Sequence, residues 1–122
     1  MMKDEMTSRL EHYEDQYRAL LGELQGLGFV SPGSVALRET SCGKPGCKCM
    51  ADPPRRHGPY YQWTRKVKGK TVSRQLSPAE AELFQEWITN RRQLQRVTRD
   101  LERVSAKAGE ILLRQANREI KS

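Results

Sequence analysis

Residues 42–49 read Cys42-Gly43-Lys44-Pro45-Gly46-Cys47-Lys48-Cys49 and hold every cysteine of the chain. His57 follows, then the aromatic and basic run Tyr60-Tyr61-Gln62-Trp63-Thr64-Arg65-Lys66-Val67. Lys68-Gly69 reads as a tight turn, and Lys70-Thr71-Val72-Ser73-Arg74-Gln75-Leu76 alternates as a returning strand. Three thiols within eight residues, with a histidine close behind, suit one tetrahedral zinc ion, whose preferred ligands are sulfur and nitrogen. Cys42, Cys47 and Cys49 are the expected ligands, with His57 as the fourth and Asp52 as its alternative. A four-protein-ligand set leaves no open position, so the zinc is expected to be structural. An odd cysteine count points the same way, because disulfides would leave one thiol over.

On either side of this segment the pattern is helical. Met6, Leu10, Tyr13, Tyr17, Leu20, Leu24 and Leu27 recur at steps of four and three, a heptad seam that predicts a helix over 2–27. Gly26 and Gly28 are its stop signals, since glycine accepts the left-handed conformation that ends helices. Ser31-Pro32-Gly33 is a turn, and Val35 and Leu37 alternate in a short strand that leads into Cys42. Prolines 45, 53, 54 and 59 keep the intervening loop out of helix.

Ser77-Pro78-Ala79-Glu80 starts a second helix: serine caps, proline suits the first turn, and Glu80 completes a capping box. The helix is expected over 78–120, with Gly109 as the point where it could be interrupted. Leu83, Phe84, Trp87 and Ile88 make an apolar face to pack beneath the strands. Leu94, Val97, Leu101, Val104, Ala108 and Ile111 continue at heptad steps. The expected fold is a single α+β domain over 1–122, mostly helical. A zinc-stapled antiparallel hairpin or small sheet over 33–76 sits between the two helices, which form a coiled coil. On the sheet, Tyr61, Trp63 and Val67 are expected to pack inward with Val72 and Leu76, leaving Tyr60, Gln62, Thr64 and Lys66 outward.

The cysteine block, His57-Gly58-Pro59-Tyr60-Tyr61, the Lys68-Gly69-Lys70 hairpin and the helix behind them resemble a small prokaryotic domain family of unknown function. That family carries the signature Cys-Gly-Lys-x-x-Cys-x-Cys followed by His-Gly-Pro-Tyr, and the likeness spans roughly residues 33–87. The resemblance implies a shared small fold, a metal site on Cys42, Cys47, Cys49 and His57, and for some members a neighbourhood of mobile elements. It supplies no activity.

Charge gives the functional expectation. The chain carries 22 Lys+Arg and 15 Asp+Glu, a net charge of +7. Between Arg38 and Gln75, ten basic residues meet only Glu39 and Asp52, so this segment alone carries +8. Such a patch points to a polyanion, with DNA expected ahead of RNA. The expected nucleic-acid contacts are Lys44, Lys48, Arg55, Arg56, Tyr60, Gln62, Thr64, Arg65, Lys66, Lys68, Lys70 and Arg74. The second reading is a coiled-coil adaptor whose basic head binds an acidic protein. The heptad seams lead us to expect a homo-oligomer, with a dimer favoured. No apolar run reaches the ~18 residues of a membrane span, and Met1–Glu5 has no apolar core of a signal peptide, so a cytoplasmic location is expected. No paired acid and base, phosphate-cradling loop or Ser/His/Asp motif marks an enzyme.

Overall fold

The structure is a computed structural model, and it describes residues 4–40, 46–47 and 57–121. The elements are α1 (Glu5–Gln25), β1 (Ser34–Thr40), β2 (His57–Val67), β3 (Lys70–Leu76) and α2 (Pro78–Lys121). The chain divides into two compact units. Residues 29–91 hold the sheet and the first turns of α2; residues 1–28 and 92–122 hold α1 and the rest of α2.

In the sheet unit the strand order is β1-β2-β3, all antiparallel. Lys68 and Gly69 join β2 to β3 with φ of 52° and 81°. Positive φ at both central positions is the type I′ geometry, whose twist matches that of paired strands. The β1–β2 register slips between Arg38 and Thr40, where Gly58 and Pro59 lie opposite the single residue Glu39. Gly58 sits at φ 108°, and a Cβ there would lie 2.8 Å from the Arg38 carbonyl. Proline has no N–H to leave unpaired, so it suits such a bulge.

Register sorts the side chains into two faces, since neighbours along a strand point to opposite sides. Val35 and Leu37 share a face with Tyr61, Trp63, Arg65, Val67, Val72, Arg74 and Leu76. This face meets α2: the Trp63 and Phe84 ring centroids are 4.3 Å apart, and Phe84 meets Trp87 edge-on at 5.0 Å. Leu76, Ala81 and Ile88 are buried beside them. The inward placement of Tyr61, Trp63 and Leu76 is the one expected from alternation. Residues 29–33 are tied down by three bonds that sequence reading does not supply. The Ser31 amide donates to the Trp87 carbonyl (3.1 Å), the Asn90 amide group to the Phe29 carbonyl (2.8 Å), and the Trp63 indole to the Pro32 carbonyl (2.8 Å). At Gly33, with φ 95°, a Cβ would run into the Thr64 carbonyl, so this turn requires glycine.

The start of α2 is the expected capping box. The Glu80 amide donates to Ser77 Oγ (3.1 Å), and the Ser77 amide donates to Glu80 Oε1 (3.0 Å). The helix then runs without a break through Gly109 to Lys121. A glycine in a helix interior costs about 1 kcal/mol relative to alanine, too little to interrupt 44 residues that are otherwise good helix formers.

In the helical unit, α1 opens at Asp4, whose Oδ1 accepts from the Thr7 amide at 2.6 Å. The Thr7 amide, then its hydroxyl, hold the Asp4 carboxyl below its ordinary range, with Arg118 adding to the effect. Glu23 pairs with Arg96 at 3.1 Å. The first turn of α1 thus lies by the end of α2, and its last turn by Arg96, so the two helices run antiparallel. Val97, Val104 and Ile111 are buried at seven-residue steps. No residue of α1 is fully buried, and Tyr17 is 45% exposed. The helix ends at Gln25 with Gly26 at φ −87°, so the expected left-handed stop is not the one used. Among the described residues, no helix is long and apolar enough to cross a membrane.

Candidate nucleic-acid interface

The sheet face away from α2 carries Ser34, Ala36 and Arg38 from β1, Tyr60, Gln62, Thr64 and Lys66 from β2, and Thr71, Ser73 and Gln75 from β3. It is polar because each strand alternates and α2 takes the other face. Tyr60, Gln62, Thr64 and Lys66 are therefore where the sequence places them. Arg38, Ser73 and Gln75 join them. The same two-residue period locates all three, because Leu37, Val72 and Leu76 turn toward α2 and their neighbours Arg38, Ser73 and Gln75 turn away.

The rows across this face are specific. Thr64 lies between Ser34 and Ser73, and its hydroxyl is 3.1 Å from that of Ser73. Gln62 lies between Ala36 and Gln75. Arg38, Tyr60, Gln62 and Gln75 line a hollow of about 100 Å³. Tyr60 also borders a wider hollow of about 610 Å³, walled by Leu37, Tyr61, Leu76 and Pro78. The face thus offers a half-buried aromatic ring, two primary amides, a hydroxyl pair and the cations Arg38 and Lys66. Side-chain amides can read a base edge by paired hydrogen bonds, and cations neutralise phosphates.

Arg65 and Arg74 lie elsewhere. Both belong to the face that meets α2. The Arg65 guanidinium lies 3.8 Å from the Trp63 ring centroid, and its Nη1 is buried without a hydrogen-bond partner. Arg74 pairs with Glu80 Oε2 at 3.1 Å. The alternation that carries Gln62 and Thr64 outward necessarily carries Arg65 inward, a consequence the charge count alone conceals. Lys68 is in the turn, and Lys70 opposes Val67 at its foot. The expected contacts Lys44, Lys48, Arg55 and Arg56 lie outside the described residues, as do Cys42, Cys49 and Asp52.

Of the expected metal ligands, Cys47 is half-buried, and His57 opens β2 with its backbone paired to Thr40. That pairing sets the two strand ends flanking 41–56 side by side. Among the described residues, no group of three or more His, Cys, Asp or Glu could hold a metal ion.

Fold and face together define a small α+β domain: a three-stranded antiparallel sheet with one polar, uncovered face among the described residues, set between two helices in the sequence. The chain belongs to the family described as "Domain of unknown function (DUF6788)", whose pattern matches residues 4–86, from α1 into the first turns of α2. No curated protein and no solved structure matches the chain.

Proposed function

We propose that this chain is a zinc-stabilised nucleic-acid-binding protein, a DNA-binding regulator or accessory factor that meets its target with the open face of the sheet. The observation that carries the reading is the composition of that face: Arg38, Tyr60, Gln62, Thr64, Lys66 and Gln75 in one plane, within a segment of charge +8. Strands can enter a DNA groove as ribbons or sheets. Lys66, Lys68 and Arg38 would set the register on phosphates, while Gln62 and Gln75 would read bases. Zinc on Cys42, Cys47, Cys49 and either His57 or Asp52 would steady the segment between Thr40 and β2. Its donors are soft thiolates, the ligand type zinc favours in structural sites.

Titration of the zinc-loaded chain with duplex DNA, single-stranded DNA and RNA over a salt series tests this. Five phosphate contacts on duplex DNA give a log–log slope of about −4.5. Absence of binding to all three at about 50 mM salt would remove the reading and leave the adaptor ahead.

The exposed side of α1 supports a second element of the reading, self-association. A helix of 21 residues with none fully buried, and Tyr17 and Leu21 showing 45% and 39% of their surface, suits a dimer seam. Light scattering that gives a monomer across micromolar concentrations would exclude it.

A further inference from the structure

The second half of α2 carries charge in a pattern that the chain's totals conceal. Arg92, Arg96, Arg99, Arg103, Lys107, Glu110, Arg114, Arg118 and Lys121 follow one another at steps of four and three residues. That is the helical repeat, so these positions form one straight stripe, and Glu110 is its only acid. From Arg92 to Arg114 it runs about 33 Å at ~1.5 Å per residue. α1 with its cap Asp4, in the same unit, carries Asp4, Glu5, Glu11, Glu14, Asp15 and Glu23 against Arg9 and Arg18. Summed over the unit the two helices nearly cancel, although each has a sign of its own.

Some of the stripe is spoken for. Arg96 bonds Glu23 and Asp100, Arg103 bonds Asp100, and Arg118 faces Asp4. Arg92, Arg99, Lys107 and Arg114 are exposed and have no carboxylate partner among the described residues. We infer that these four cations are a second phosphate-contacting surface, binding the backbone of a nucleic acid independently of the sheet face.

Two features favour a phosphate backbone over a protein partner or plain solvation. The stripe contains no apolar side chain, whereas the centre of a protein interface is apolar and aromatic. A merely solvated helix mixes signs at i,i+4, because like charges there repel. Here Arg92–Arg96, Arg99–Arg103, Arg103–Lys107 and Arg114–Arg118 are all like pairs at that spacing. Such repulsion is relieved when phosphates, with their regular single-sign charge, take the place of counterions. The inference shares with the reading above only its ligand class. Either surface can bind without the other.

The test compares three full-length, zinc-loaded proteins by fluorescence anisotropy on one labelled duplex over a salt series. They are the unaltered chain, a stripe variant with Arg92, Arg99, Lys107 and Arg114 each changed to Gln, and a sheet variant with Arg38, Lys66 and Lys68 each changed to Gln. Glutamine keeps helix propensity, so circular dichroism should be unchanged. Each lost phosphate contact flattens the log–log slope by about 0.9, so the stripe variant should flatten it by up to about 3.6. That result upholds the inference even if the sheet variant binds normally, in which case only the sheet reading falls. A stripe variant with the full slope, beside a flattened sheet variant, overturns the inference alone. A full slope combined with loss of a dimer in light scattering assigns the stripe to the acidic helix of a second copy and also overturns it. No binding by the unaltered chain overturns both.

Discussion

The Arg65 guanidinium lies 3.8 Å from the centroid of the Trp63 indole, on the side of β2 that faces α2. Trp63 meets Phe84 at 4.3 Å, and Phe84 meets Trp87 at 5.0 Å. A cation and three rings therefore connect strand and helix in a unit whose fully buried apolar residues, among those described, are Leu76, Ala81 and Ile88.

Trp63→Ala removes the ring at the middle of this stack, and with it the 2.8 Å bond to the Pro32 carbonyl. Truncating a packed tryptophan costs about 3–5 kcal/mol, and half-burial puts Trp63 at the lower end. Trp63→Phe keeps one aromatic ring against Phe84 but loses the indole N–H and part of the packed ring area. It should therefore cost less than Trp63→Ala and more than the roughly 1 kcal/mol of a lost hydrogen bond. Urea denaturation followed by circular dichroism measures both. Equal stability of Trp63→Ala and the unaltered chain would show that the stack carries no weight.

The same stack shows where sequence reading stops. The order of elements, the hairpin turn at Lys68-Gly69 and the capping box at Ser77 and Glu80 were legible because each is set by residues within a few positions of one another. The inward aromatic face was legible from alternation. The pairing of Arg65 with Trp63 was not, because a count of charges says nothing about which side of a strand a charge takes. The bonds from Ser31, Asn90 and Trp63 join residues 31 to 61 positions apart and leave no local mark. The basic stripe of α2 is written plainly at the helical period, but an average over both helices hides it behind the acids of α1.

The cap of α2 gives a prediction with a pH sign. The Ser77 amide, then its hydroxyl, hold the Glu80 carboxyl below its ordinary value of 4.5, and Arg74 adds to the effect. A carboxyl whose value is lowered on folding stabilises the fold above its unfolded value. That contribution is therefore complete at neutral pH and is lost as pH falls below 4.5 through the folded value. Glu80→Gln retains an acceptor for the Ser77 amide, so its effect at pH 7 should be small, and the acid-side loss should become shallower. Ser77→Ala removes the cap itself and should cost about 1 kcal/mol at any pH. Thermal melts from pH 7 to pH 3 separate the two. An acid limb of the same depth in Glu80→Gln and the unaltered chain would assign it to other carboxylates.

The zinc reading is tested on metal content first. Freshly purified, reduced protein should hold one zinc per chain, and a value well under half an equivalent would end the reading. Structural zinc can contribute on the order of 10 kcal/mol of folding free energy. Cys47→Ala should therefore release the metal and unfold the sheet unit, with the ellipticity of the two helices largely kept. Thiolate and imidazole donors must lose their protons to bind, so zinc affinity should weaken steadily as pH falls from 7 to 5. The fourth ligand follows from a pair of substitutions. The pairing of Thr40 with His57 brings the imidazole's own strand alongside the end of β1, two residues before Cys42 in the chain. This favours His57 over Asp52, which lies five residues further from β2. His57→Ala should then lower zinc affinity by at least tenfold, as measured by competition with a chromophoric chelator, while Asp52→Ala leaves it unchanged. The reverse ranking would move the site to the aspartate and make His57 a residue of the strand alone.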